Sequence, residues 1–118
     1  MNMALKEKVA EIRDALIFIA DALRGPVAVT VTKPLHLNVS GLTGIKKSIS
    51  VQSVATMLQT AAAELDSLNF DNAERELNRA QKEWAKVIKE QGRSKELTKL
   101  LNIIINLKQE IKDAKASM

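Results

Sequence analysis

Few side chains in this chain could carry out chemistry. Its 118 residues include no cysteine, no tyrosine and a single histidine, His36. Metal sites need several converging ligands, and nucleophilic or acid–base catalysis needs a paired set of reactive side chains. The sequence therefore predicts no catalytic residue, no metal site and no bound cofactor. We expect neither an enzyme nor a small-molecule substrate.

One loop has the residue types that bind phosphate. The stretch 41–48 reads Gly-Leu-Thr-Gly-Ile-Lys-Lys-Ser. A P-loop needs a glycine directly before its lysine, and Lys46 occupies that place before Lys47. The Gly-x-x-Gly turn is also the kind that clamps a nucleic-acid backbone in KH domains, but the order of elements here differs. That difference favours a flexible hinge.

Basic charge without acidic neighbours surrounds this loop. No acidic residue occurs between Asp21 and Glu64, although the whole chain has 18 basic and 14 acidic residues and a net charge of +4. Localised positive charge attracts phosphate groups and acidic surfaces. The candidate phosphate contacts are Arg24, Lys33, Lys46 and Lys47. The competing interpretation is a loop with a few solvated lysines.

Four segments must position these residues, and all four have helical apolar spacing. Apolar residues recur at steps of three and four over 5–23, 51–68, 73–87 and 97–114. This spacing keeps one stripe on one helix face, and near-antiparallel helices pack through such stripes. Trp84 falls on the third stripe, where a tryptophan is expected to anchor the core.

Local signals mark the helix ends. Gly25-Pro26 should end the first helix because proline lacks an N–H group. Asp71 and Glu74 suggest the start of the third helix, Gly92 its end, and Ser94 the cap of the fourth. The joins near 69–70 and 92–94 are short, so helices two, three and four should be antiparallel neighbours.

The segment 27–40 has a different period. Apolar residues alternate with polar or small ones on both sides of Lys33-Pro34, which is strand spacing. The predicted fold is therefore a single all-α domain over 1–118. It is a four-helix bundle with a small β-hairpin between helices one and two, in an insertion at about 26–47.

Helices one and four are more apolar than one seam requires. The additional side chains are Ile17, Phe18, Leu101, Ile103 and Ile105. A broad apolar face must be covered on more than one side, by the hairpin or by another chain. We therefore expect these residues to form a protein interface, either with a second copy or with a different protein.

These observations predict a non-catalytic interaction or assembly subunit that associates through helices one and four. The alternative is a small basic accessory subunit of a nucleoprotein complex that contacts phosphate backbone without sequence specificity. A helical domain with a small β insertion resembles, in its plan, the small subunits of CRISPR effector complexes. No apolar run is long enough for a signal or a membrane span, so we expect a cytoplasmic protein.

Overall fold

The computed structural model describes residues 3–25, 42 and 45–118, and the described chain is helical. The helices are α1 (Met3–Arg24), α2 (Ile49–Asp66), α3 (Phe70–Gln91) and α4 (Lys95–Ala116). They are compatible with the predicted bundle. The described ranges contain no strand, and the predicted hairpin, with Lys33 and His36, lies outside them.

Side-chain contacts establish that neighbouring helices are antiparallel. Arg13 of α1 donates to Asp66 at the end of α2, whereas Arg24 donates to Gln52 near its start. Each helix contacts two others, in the order α1–α2–α3–α4–α1, and α1 touches α4 least. Within the described ranges the diagonal pairs do not meet. For α2, α3 and α4, such an arrangement follows from short turns and one apolar stripe per helix.

The predicted stripes form the core. The larger side chains that are fully buried include Ile12, Leu16 and Ile19 of α1, Leu58 and Leu65 of α2, Leu77 and Trp84 of α3, and Leu100, Ile104 and Ile111 of α4. Leu68 is the exception to the spacing. It lies in the turn after α2 with φ of 60° and is 40% exposed, so the stripe ends at Leu65.

Helix ends agree with the local signals at all but one position. α1 ends before Gly25, and the Ser94 hydroxyl accepts from the Leu97 N–H at 3.2 Å. Ser48 caps α2 in the same way through Val51, a signal that the sequence analysis missed. The predicted start of α3 at Asp71 is wrong, because α3 begins at Phe70, whose buried ring belongs to the core.

Trp84 joins α3 to the first turn of α4. Its indole is fully buried, and its Nε1–H donates to the carbonyl oxygen of Leu97 at 2.7 Å. A buried indole N–H without a partner would cost free energy, so this bond makes the core position acceptable. The predicted role of Trp84 as a core anchor is confirmed.

We expect Trp84→Ala to lower the free energy of unfolding by about 3–5 kcal/mol through lost burial and a cavity. Trp84→Phe should lower the free energy of unfolding by less than Trp84→Ala does, because it retains an aromatic ring. Some loss should remain, because the Leu97 carbonyl no longer accepts the indole hydrogen bond. Urea denaturation measures both values, with Lys82→Ala on the exposed face of α3 as the control. Equal free energies of unfolding for all three variants would contradict the conclusion that buried Trp84 stabilises the core.

A substitution at Gly92, between α3 and α4, measures the energetic effect of backbone conformation without a steric clash. It has φ of 86° and ψ of 151°, a region that only glycine occupies readily, and a Cβ there would meet no atom within 4 Å. Gly92→Ala should therefore destabilise the protein by about 1–3 kcal/mol through strain and not through a clash. Gly25→Ala is the matched control, because Gly25 has equal space and no such φ. Equal thermal denaturation midpoints for the two variants would contradict this account.

Candidate functional site

The predicted interface residues of α1 and α4 differ in exposure. Ile17 is 40% exposed and Ile105 is 38% exposed. Phe18, Leu101 and Ile103 are half-buried and pack against the core. Their partial burial accounts for much of the excess apolar character that the sequence shows.

Ile17 lies on the flank of α1 that meets α2. It follows Arg13 by four residues, which places both on one side of the helix. The Arg13 guanidinium donates to the Asp66 carboxylate at 2.9 Å across the α1–α2 seam. Ile17 is therefore at the outer edge of that seam.

Ile105 lies on the flank of α4 that meets α3. Lys108, three residues further on, donates to the amide oxygens of Asn78 and Gln81 in α3, each at 2.9 Å. The α1–α4 contact includes a Lys8–Glu110 ion pair on the other flank of α4. Ile17 and Ile105 therefore belong to opposite flanks of the bundle and not to one continuous surface.

Arg24, a predicted phosphate contact, is held by neutral groups. Its guanidinium donates to the Gln52 amide oxygen at 3.2 Å, the Thr56 hydroxyl at 2.9 Å and the Gln59 amide oxygen at 3.0 Å. These acceptors orient the guanidinium without cancelling its charge. Arg24 is exposed and remains available to an anion.

Lys46 and Lys47 lie beside the end of α1. The Lys47 ammonium donates to the Ala22 carbonyl oxygen at 3.5 Å. That carbonyl would otherwise pair with the N–H four residues later, and Pro26 has none. Lys46 is exposed, and its carbonyl oxygen accepts from the Gln91 side chain at the end of α3 at 3.3 Å.

These contacts bring together cations that are far apart in the sequence. The antiparallel order places the end of α1, the start of α2, the end of α3 and the start of α4 at one end of the bundle. We call this region, 21–25, 45–49 and 89–99, the basic end. Its seven basic residues are Arg24, Lys46, Lys47, Lys89, Arg93, Lys95 and Lys99, and its three acidic residues are Asp21, Glu90 and Glu96.

The sequence analysis missed the contribution of α3 and α4 to this cluster. Arg93, Lys95 and Lys99 are exposed and adjoin the predicted turn at 92–94. The signal that could have revealed them was the antiparallel order itself, which places that turn at the same end as Lys46. Lys33 was predicted as a fourth phosphate contact and lies outside the described residues.

Some cations outside the basic end are paired with carboxylates. Ion pairs elsewhere include Arg13–Asp66 and Lys115–Asp71, and in both cases the hydrogen bond to the carboxylate raises the pKa of the cation above its usual value. Within the described ranges, Arg24, Lys46, Arg93, Lys95 and Lys99 take part in no ion pair. The basic end therefore keeps its positive charge.

A groove of about 980 Å³ extends from the basic end along the first half of α4. Among the described residues, Leu42, Leu100 and Ile103 are its apolar lining, and of these only Ile103 is partly exposed. Arg93 and Lys99 contribute cations to the same groove. The basic end and the groove are thus one continuous region.

The described residues contain no group of three or more histidine or acidic side chains placed to bind a metal ion. None of the described helices is long and apolar enough to span a membrane. Comparison with protein-family models, with curated proteins and with solved structures finds no match for this chain.

Proposed function

We propose that this protein is a cytoplasmic, non-catalytic subunit that binds the phosphate backbone of a nucleic acid through its basic end. The observation that carries the proposal is the convergence of exposed cations from four helix ends with few acidic neighbours. Seven basic and three acidic residues leave an excess of four charges there. The eleven basic and eleven acidic residues of the remaining chain cancel.

Charge separated in this way favours a polyanion. A phosphate polymer offers closely spaced negative charges, and its condensed counterions are released when cations replace them. Arg24 is already oriented by Gln52, Thr56 and Gln59, so less side-chain freedom is lost when it contacts phosphate. The described basic end has no aromatic side chain, which supports backbone contact without base stacking.

We expect the logarithm of affinity for a short DNA duplex to fall linearly with the logarithm of salt concentration. The slope should be no steeper than about −6, because the basic end has seven cations and each phosphate contact contributes about −0.9. Lys46→Ala with Lys99→Ala should make the slope shallower by up to about two units. Fluorescence anisotropy titrations at several salt concentrations measure it.

The matched control is Lys6→Ala with Lys112→Ala, which removes the same charge from exposed positions near the opposite end. Its slope should stay close to that of the unaltered protein. Absence of binding at low salt would refute the proposal. If both double variants lost the same amount of affinity for the duplex, net charge, and not the basic end, would determine affinity.

A second candidate function is protein–protein association through α1 and α4. It would use Ile17 and Ile105, whose exposed apolar surface a partner could cover. Since the two residues lie on opposite flanks, each would contact a different part of a partner or a different copy. The partner is a second copy of this chain or another protein.

If the protein self-associates through these residues, Ile17→Lys and Ile105→Lys should each lower the mass measured by light scattering. Neither should change the free energy of unfolding by more than about 0.5 kcal/mol, because both side chains are partly exposed. The control is Ile49→Lys, since Ile49 is 87% exposed but lies on α2. Unaltered mass in both α1 and α4 variants would exclude these residues from a self-association interface.

A further inference from the structure

The groove beside α4 has features that phosphate binding alone does not require. Its volume of about 980 Å³ is at the upper end of the range for ligand sites. Leu100 is fully buried beneath it, Leu42 is nearly so, and Ile103 is half-buried. Of these three side chains, only Ile103 keeps apolar surface that a ligand could cover, and such surface contributes nothing to the binding of phosphate.

Two asparagine side chains also line the groove. Asn102 and Asn106 are four residues apart on α4, so they share one side of the helix, and both are exposed. Within the described ranges neither side chain makes a hydrogen bond. Each amide offers both donors and an acceptor, which is the combination that the edge of a nucleobase can pair with.

Charge at one end of the groove selects the type of ligand. Arg93, Lys95 and Lys99 line it together with a single acidic residue, Glu96, which leaves an excess of two positive charges. A ligand that matches Ile103, the amides and the cations together has flat heterocycles with polar edges on an anionic backbone. Single-stranded nucleic acid has all of these features.

We propose that this groove holds unpaired bases of a single-stranded nucleic acid while the basic end holds its phosphates. This inference rests on the proposed function and adds the strand type to it. In a duplex the bases are stacked and paired, so they are less accessible to Ile103 and the two asparagines. Because no aromatic ring lines the described part of the groove, we expect the base contacts to come from the amides and not from stacking.

The experiment compares an oligothymidine strand of twelve nucleotides with an abasic strand of the same length, using fluorescence anisotropy at low salt. Both strands have the same phosphates, so only base contacts distinguish them. We expect oligothymidine to bind about tenfold more tightly, as one or two additional hydrogen bonds would give. The salt slopes for the two strands should be equal.

The variant Asn102→Ala with Asn106→Ala should bring oligothymidine close to the affinity of the abasic strand without affecting the abasic strand itself. Both positions are exposed and alanine favours helix, so the variant should fold. Gln109→Ala is the matched control, because Gln109 is an exposed amide of α4 that does not line the groove. Circular dichroism confirms that each variant is folded.

The outcomes separate this inference from the function on which it rests. Equal binding of the two strands would overturn the base contact and leave phosphate binding intact. Failure of both strands to bind at low salt would overturn both proposals. Binding to vesicles that contain phosphatidylserine is also measured. If the unaltered protein binds the vesicles and the asparagine double variant does not, the groove accepts lipid, and the inference is wrong.

Discussion

Each helix has a single apolar stripe, and burial of that stripe determines where the other helices must lie. The turns at 67–69 and 92–94 are too short for anything but an antiparallel return, so α2, α3 and α4 alternate in direction. Trp84 then links α3 to α4 through the Leu97 carbonyl. Because the direction alternates, the end of α1 lies with the start of α2, and the end of α3 lies with the start of α4. The basic end is a consequence of this order.

Arg13 and Arg24 of α1 differ in the charge of the groups that accept their hydrogen bonds. Arg13 donates to two carboxylates, Asp14 and Asp66, so its charge is largely compensated within the protein. Arg24, the last residue of the same helix, donates to two amides and a hydroxyl of α2. Both arginines join α1 to α2, but only Arg24 does so with its charge uncompensated. Exposed ion pairs contribute little stability, so this difference has more effect on the field around the protein than on its folding.

Sequence reasoning succeeded where the physical signal is local and failed where it depends on tertiary contacts. Ser94 and Gly92 were identified because capping and positive φ depend on single residue types. Asp71 has the composition of a cap, but the buried Phe70 extends α3 past it, and Asp71 pairs instead with Lys115 of α4. The same limit applies to the candidate site. Composition identified Lys46, but only the antiparallel order of the helices brings Arg93 and Lys99 to the same end, and no local pattern reveals a groove.

The positions of the cations conflict with helix electrostatics in a way that favours a functional role. The N-terminal end of a helix has partial positive charge, so acidic residues are favourable there and basic ones are not. Lys46 lies just before Ser48, the cap of α2, and Lys95 is the first residue of α4. Both placements are electrostatically unfavourable, although Glu96 in the first turn of α4 offsets part of the effect of Lys95. A bound phosphate would remove that cost, because it would interact favourably with both the lysine and the helix end. Local preferences are most often overridden at functional sites, and here the override occurs at two helix starts that meet at the same end of the bundle.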